Sequence, residues 1–293
     1  HSFPRRVLFR SKRPNASSDN EVTTAIKGLG RLSPFGDRGG GDFPQGFGDL
    51  EGVPADARTF DSASGVVIGP HGEILTAFHV LKGAQRLMVI APREKPFAAE
   101  IIAADPRSDL AVIVPMTVPG RTPPKLTPVP LGDATKLRKG SFLIALGNAY
   151  NAAFDGKASA SLGILSNVSR RIDASPFEPR NNVKLYNLPT LLQLDAKLNQ
   201  GMSGGAVINL KGELVGLTTA AANPTSLDAQ AGYAIPLDAL GRKIVETLVA
   251  GQEVEYGFLG IGLDLQGTNR VDRCEFGTPA AEGGLLVDDR ILA

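Results

Sequence analysis

The chain has 293 residues, of which 42% are hydrophobic, so it is long enough to bury at least one sizeable core. Its 31 basic and 30 acidic side chains nearly cancel, which argues against a dedicated nucleic-acid binder, because such proteins usually carry a strong basic excess. No apolar run approaches the roughly 20 residues of a membrane-spanning helix. The single cysteine, Cys274, excludes an internal disulfide framework and a multi-cysteine metal site. We therefore expect no nucleic-acid partner and no integral membrane segment.

Residues 1–54 are predicted to form a flexible N-terminal arm, because nine glycines lie between Gly28 and Gly52 with little periodicity around them. The string RVLFRS, Arg6–Ser11, matches a translated sequencing adapter. This match leaves the native origin of residues 1–11 open, with a disordered basic tail as the alternative, and we exclude them from the fold prediction. No signal peptide is recognisable at the start of the chain.

From about Thr59 onward, short β-rich runs alternate with turn residues, which predicts an all-β barrel or sandwich. Pro115–Pro130 holds six prolines and pairs poorly as a central strand, so we expect it to connect two β halves of similar size. The predicted strands are Gly65–Ile68, Glu73–Phe78, Arg86–Ala91, Phe97–Ala103, Leu110–Val114, Ser141–Leu146, Leu162–Val168, Leu191–Leu194, Ala206–Leu210, Glu213–Thr219 and Gly232–Ile235.

One segment has the periodicity of a helix. Leu237, Leu240, Ile244 and Leu248 fall on one face, directly after Pro236. We expect a short linker helix within residues 237–254, and a further unit beyond it.

The string Gly201-Met202-Ser203-Gly204-Gly205 is typical of a nucleophile loop. Glycines around a serine let the backbone turn sharply and expose the hydroxyl. They also let two N–H groups point into one small space, where the oxyanion of an acyl-transfer reaction could be held. Taken alone, the string fits a glycine-rich hairpin turn equally well.

A histidine and an aspartate precede this serine in the chain. Of only three histidines, His79 is the one that ends a predicted strand. Asp109 opens an apolar strand and can accept an imidazole N–H, whereas Asp105 fits a turn aspartate. The order His79, Asp109, Ser203 is that of chymotrypsin-type proteases and differs from the orders in subtilisin and the α/β-hydrolases.

Strings that run in order from about Phe60 to Pro236 resemble the HtrA/Deg family of trypsin-like serine proteases. Besides the His79 and Ser203 motifs, they are Ser64–Ile68, Ile74–Thr76, Ser108–Val112, Leu131–Asp133, Ala145–Asn148, Leu194–Ala196 and Gly232–Pro236. The resemblance implies a protease domain over residues 55–236, with a chymotrypsin-like pair of six-stranded barrels. It also implies a serine endopeptidase of protein quality control that cleaves unfolded or misfolded proteins without ATP, metal or other cofactor.

The resemblance assigns the site residues one by one. His79 is the general base, Asp109 orients it, Ser203 is the nucleophile, and the backbone N–H groups of Gly201 and Ser203 form the oxyanion hole. The expected route runs through a covalent acyl-enzyme intermediate.

Two further residues match substrate-binding positions of the family. Leu198 and Ala221 correspond to pocket walls, which implies a small aliphatic side chain before the scissile bond. Lys197 would favour acidic substrates if it pointed into the pocket, and otherwise extends to solvent.

Met202 and Ala206 depart from the family pattern, which usually has Asn and Pro at these positions. Neither is a catalytic position, but both lie in the loop that carries the expected oxyanion donors. A catalytically silent scaffold, chaperone-like or peptide-binding, is therefore the alternative interpretation. A hydrolase of another acyl substrate, such as an ester, is a third.

Tyr256–Ile261 is similar to the carboxylate-binding loop of a PDZ domain, and Gly277–Ala281 and Gly284–Ala293 resemble that domain's helix start and following strand. We expect residues 255–293 to be a partial, truncated PDZ domain. The family likeness further implies unfolded protein or peptide partners, a homotrimer or higher oligomer, and a periplasmic or otherwise extracytoplasmic location.

Overall fold

The computed structural model describes residues 6–12, 60–82, 84, 87–117, 124–149, 157–170, 190–219, 232–264 and 268–292, with the backbone alone for 6–12 and 60–62. The predicted N-terminal arm beyond residue 12 lies outside these ranges. The chain divides into two compact units, residues 1–253 and 254–293.

Twelve strands build the first unit. They are β1 (Arg6–Lys12), β2 (Phe60–Val67), β3 (Ile74–Ala77), β4 (Leu87–Ile90), β5 (Phe97–Asp105), β6 (Leu110–Pro115), β7 (Phe142–Gly147), β8 (Ser159–Arg170), β9 (Leu191–Leu194), β10 (Ala206–Asn209), β11 (Leu214–Thr218) and β12 (Gly232–Pro236). The first six close into one barrel in the order β1-β2-β3-β6-β5-β4, and the last six into another in the order β7-β8-β9-β12-β11-β10. The predicted chymotrypsin-like double barrel is confirmed.

The core of each barrel consists of apolar side chains from its strands. In the first barrel, Val67, Ile74, Val89 and Ile113 are fully buried. In the second, the buried core includes Leu143, Leu165, Leu194, Val207 and Val215. These side chains fill the interior of each barrel, as expected for barrels of this size. Each short β-rich run predicted from the sequence overlaps one of the strands β2 to β12.

Residues 6–12 form a barrel strand, which corrects their exclusion from the fold. β1 pairs antiparallel with β2 and also with β4, where Phe9 lies opposite Val89. The physical reason is that a barrel needs a partner along every strand edge, and without β1 the backbone groups of β2 and β4 on that side would lack one. The match to a translated sequencing adapter concerns the residue string alone, and it carries no information about strand pairing.

The connector between the barrels contacts both of them at its described end. The Val129 N–H donates to the Val67 carbonyl at 2.9 Å, and the Leu214 N–H donates to the Pro130 carbonyl at 2.8 Å. Two consecutive residues of this segment, Val129 and Pro130, therefore bond to β2 of the first barrel and to β11 of the second.

The predicted short helix follows the second barrel as α1 (Ala239–Val249). Asp238 caps it, because its Oδ1 accepts the Gly241 N–H at 2.9 Å. The buried face of α1, with Ile244 and Leu248, packs against β5 and β6 of the first barrel. A helix that leaves one barrel and packs on the other helps to fix the two barrels relative to each other.

The second unit contains β13 (Ile261–Leu263), β14 (Val271–Cys274) and the single-turn helix α2 (Pro279–Glu282). Before β13, the Leu259 carbonyl accepts the Ala280 N–H at 3.0 Å, so the loop is tied to the start of α2. The partial PDZ domain stays a prediction. Among the helices of the described ranges, none has the length and apolarity to cross a bilayer.

Candidate active site

His79 and Asp109 come together because they flank two paired strands. His79 lies in a 3-10 turn, Phe78–Val80, directly after β3. Asp109 directly precedes β6, and the end of β3 pairs with the start of β6, Ala77 opposite Leu110. The His79 Nδ1 and Asp109 Oδ2 atoms are 2.7 Å apart. Neighbouring strand ends thus place the carboxylate beside the imidazole.

The backbone holds Asp109 in a fixed orientation. Its other carboxylate oxygen, Oδ1, accepts the His79 backbone N–H at 2.8 Å, and its carbonyl accepts the Phe78 N–H at 2.9 Å. Asp109 has φ +58°, a left-handed conformation in which aspartate and asparagine are several-fold enriched. The Asp109 side chain is 6% exposed and that of His79 is 24% exposed. The carboxylate is therefore buried and anchored, while the imidazole reaches the surface.

Thr219 is a contact of this site that the sequence analysis missed. Its Oγ1 donates to Asp109 Oδ2 at 3.0 Å, and the side chain is buried directly after β11 of the second barrel. The oxygen that faces the imidazole thus has a second donor from the opposite barrel. A hydroxyl 110 residues away along the chain gives no local signal of this contact, although the Thr218-Thr219 pair at the end of a predicted strand marks the place.

We expect Thr219→Val to lower kcat about tenfold, because a hydrogen bond to a charged group is worth about 1.5–3 kcal/mol and only part of it acts on the imidazole. Thr219→Ser keeps the hydroxyl and should recover most of the loss. The measurement is kcat and KM for casein cleavage by both variants. Wild-type kcat in the valine variant would show that this bond does not orient the pair.

The loop that carries Ser203 lies between β9 and β10, against the first barrel. The Ser203 carbonyl accepts the Ser64 N–H of β2 at 2.9 Å, and the Gly204 N–H donates to the Thr218 carbonyl at 2.7 Å. Gly204 has φ +80°, and a Cβ there would press on the Ser64 carbonyl and on Thr76 Oγ1. Only glycine lets the backbone approach β2 and β3 this closely.

The structure thus brings Ser203 to the first barrel without joining its side chain to His79. A Cβ at Gly204 would press on Thr76 Oγ1 and lie 3.0 Å from the Ala77 nitrogen, so the loop passes close to β3, the strand that His79 follows. Within the described ranges, however, no hydrogen bond links the Ser203 hydroxyl to the His79 ring. Such bonds are often long in proteins without substrate and tighten in the complex.

The two expected oxyanion donors are free in this loop. Among the residues that the structure describes, the N–H groups of Gly201 and Ser203 have no acceptor, whereas the N–H of Met202 between them donates to the Asn199 carbonyl at 3.1 Å. Gly201 has φ +88°, which glycine adopts readily. Two N–H groups without an acceptor beside a serine are what stabilisation of a tetrahedral oxyanion requires.

Met202 points into the core of the second barrel and is 2% exposed. Its sulfur also lies 3.4 Å from the Asn199 backbone nitrogen, which donates to it. A thioether suits this position, because it fills irregular apolar space and can still accept a weak hydrogen bond. Met202, at the position where the family usually has Asn, is thus accommodated within the core of the second barrel.

The predicted substrate-binding residues are only partly described. Leu198 is 9% exposed and packs on Gly232 of β12, where an added Cβ would lie 2.8 Å from Leu198 Cγ. Ala221 lies outside the described residues, so the pocket wall stays a prediction. The Lys197 residue is exposed.

A buried aspartate beside a histidine on one barrel, with a glycine-bounded serine on a loop of a second, is typical of the chymotrypsin-like peptidase class. The family model of the trypsin-like peptidase domain matches residues 63–217, more than half of the 293 residues. The chain belongs to this family and, within it, to the HtrA/Deg proteases.

Two curated relatives illustrate the likeness. The chain is 32% identical over 268 residues to the periplasmic pH-dependent serine endoprotease DegQ of Escherichia coli (strain K12), a match that covers 86% of this chain and 54% of DegQ. It is 32% identical over 252 residues to the probable periplasmic serine protease do/HhoA-like of Haemophilus influenzae, covering 82% of this chain and 50% of that protein. The chain spans about half the length of these two relatives.

Solved structures of HtrA-type proteases share the fold. The HtrA-type protease AlgW with a tripeptide superimposes with a TM-score of 0.62 and 27% identity, over 78% of this chain and 74% of that one. AlgW with a decapeptide superimposes with a TM-score of 0.61 and 22% identity, over 99% of this chain and 81% of that one.

Proposed function

We propose that this chain is a serine endopeptidase of HtrA/Deg type that cleaves unfolded or misfolded proteins, without ATP, through an acyl-enzyme intermediate. The observation that carries the proposal is the anchored His79–Asp109 pair. His79 follows β3, the strand that the Ser203 loop approaches closely at Gly204. A scaffold without turnover has no need of a buried carboxylate that accepts three hydrogen bonds beside an exposed imidazole edge.

The proposed mechanism assigns a residue to each step. Ser203 Oγ attacks the peptide carbonyl carbon while His79 Nε2 takes the hydroxyl proton, and Asp109 stabilises the imidazolium that forms. The carbonyl oxygen becomes an oxyanion, and the N–H groups of Gly201 and Ser203 donate to it. As the tetrahedral intermediate collapses, the imidazolium gives its proton to the leaving amine. Water then repeats the sequence on the acyl ester and releases Ser203 with its proton restored.

For the substrate, we propose extended segments of unfolded protein with a small aliphatic side chain before the scissile bond. Leu198 and Ala221 would form the pocket walls, and the support is the packing of Leu198 on the strand that carries Gly232. Lys197 is exposed, and we assign it no role in this pocket.

Location and assembly follow the family. The named relatives are periplasmic, and we propose an extracytoplasmic location for this protein. A homotrimer or higher oligomer is proposed on the same likeness, and light scattering of the purified chain distinguishes it from a monomer.

A fluorophosphonate probe tests the proposal directly, because it phosphonylates only a serine that a base activates. We expect stoichiometric labelling of Ser203, identified by peptide mass spectrometry, and none in Ser203→Ala. Unfolded casein is added in a parallel sample, so that a loop that closes only around substrate is also detected. Absence of label in both samples supports the silent scaffold, and ester turnover without casein cleavage supports the hydrolase of other acyl substrates.

A further inference from the structure

Ser64 of β2 contacts the Ser203 loop through three of its own atoms. Its Oγ donates to the Gly201 carbonyl at 2.8 Å, and its N–H donates to the Ser203 carbonyl at 2.9 Å. Its carbonyl oxygen is one of the atoms on which a Cβ at Gly204 would press. Ser64 is 2% exposed, so these bonds form away from solvent. A residue of the first barrel thus touches the loop of the second on both sides of the nucleophile.

The hydroxyl of Ser64 both donates and accepts a hydrogen bond. Besides donating to Gly201, it accepts the Asn148 N–H at 2.8 Å, and Asn148 directly follows β7 of the second barrel. Gly147 allows this approach, since a Cβ there would lie 2.9 Å from both Ser64 Oγ and Met202 Cα. The Ser64 carbonyl in turn accepts the Thr76 Oγ1 hydroxyl at 2.9 Å, which ties β2 to β3. One hydroxyl therefore joins the end of β7 to the loop.

Gly201 is the loop residue that most needs such a restraint. With φ +88° and no side chain, its flanking peptide groups can rotate more freely than those of any other residue type. The Gly201 carbonyl belongs to the planar peptide group between Gly201 and Met202, and the two donor N–H groups belong to the peptide groups on either side of it. A bond that fixes this middle peptide group therefore limits where the two N–H groups point.

We propose that Ser64 is a positioning residue, which holds the Gly201–Gly204 backbone so that the nucleophile and the oxyanion donors keep their places. This inference rests on the proposed function, and it adds a residue to which that function assigns no role. Ser64 touches no reacting atom. Its effect is expected in turnover, because an oxyanion donor displaced by about 1 Å can cost about 10²-fold in rate.

The test compares Ser64→Ala with a variant that is destabilised elsewhere. Ser64→Ala removes the bond to Gly201 and the acceptor for Asn148 and leaves the backbone N–H of residue 64 in place. Val89→Ala opens a cavity in the first barrel, away from the loop. Both are measured for melting temperature, for kcat and KM on casein, and for amide hydrogen exchange of the peptide that spans residues 199–205.

We expect kcat of Ser64→Ala to fall about 10²-fold with KM changed by less than about threefold, and the 199–205 peptide to exchange faster. Val89→Ala should lower the melting temperature and leave the kcat of folded protein and the exchange of this peptide near wild type. If Ser64→Ala does not fold, Ser64→Cys takes its place in the same comparison, because a thiol is a weaker hydrogen-bond donor of similar size. The expected loss of kcat is then about tenfold.

Wild-type kcat and wild-type exchange in Ser64→Ala, or in Ser64→Cys where only that variant folds, would overturn the inference. Failure of the proposed function looks different. In that case the wild-type chain neither cleaves casein nor reacts with the fluorophosphonate, while the exchange comparison still reports whether Ser64 holds the loop.

Discussion

Ser203→Ala is expected to lower casein turnover about 10⁶-fold, the loss seen when the nucleophile of a comparable catalytic unit is removed. Alanine leaves no atom to form the acyl bond, so the two-step route through a covalent intermediate is closed. A residual rate about 10³–10⁴-fold above that in water should persist, because the Gly201 and Ser203 N–H groups and the binding surface remain.

The same change is expected to leave the fold intact. In the described part of the chain, the Ser203 hydroxyl forms no hydrogen bond, so its loss leaves no partner unpaired. The melting temperatures of Ser203→Ala and wild type should therefore agree. Ser169→Ala, at an exposed serine of β8, is the matched control and should keep full activity. Equal casein cleavage by wild type and Ser203→Ala would assign the activity to another nucleophile or to a contaminating protease.

Much of this architecture is predictable because the determinants are local. Short runs rich in apolar and β-branched residues, separated by turn residues, are typical of barrel strands, and such runs in the sequence place β2 to β12. The His79–Asp109 pair follows from the same logic, because the two residues flank strands that are close in the chain and pair in the first barrel.

The contacts that the sequence analysis missed join residues that are far apart. Ser64 and Gly201 are separated by 137 positions, and Thr219 and Asp109 by 110. Whether a buried hydroxyl meets a carbonyl or a carboxylate depends on how the two barrels dock, and neither strand's own pattern encodes that. The sequence analysis missed strand β1 for the same reason. Its position depends on the free edges of β2 and β4, which exist only once those two strands have formed.

Asp109→Asn is the second change with a large expected effect, and it separates the orienting role of the carboxylate from its place in the fold. Asparagine adopts φ +58° as readily as aspartate, so the backbone need not move. The His79 backbone N–H, 2.8 Å from Oδ1, requires an acceptor there, which fixes the direction of the new amide. The amide nitrogen then takes the position of Oδ2, 2.7 Å from His79 Nδ1.

The amide nitrogen introduced by Asp109→Asn can only donate a hydrogen bond, so His79 Nδ1 must accept it. The single proton of the neutral imidazole then lies on Nε2. A ring protonated at Nε2 cannot take a proton from Ser203, and we expect kcat to fall about 10⁴-fold, as in other triads with this change.

Asp105→Asn is the matched control: Asp105 is also buried, and its carboxylate accepts the N–H groups of Arg107 and Ser108 within its own turn. It should lose stability and keep its turnover. Comparable losses of kcat in both variants would mean that the carboxylates act through folding, and would remove Asp109 from the proposed mechanism.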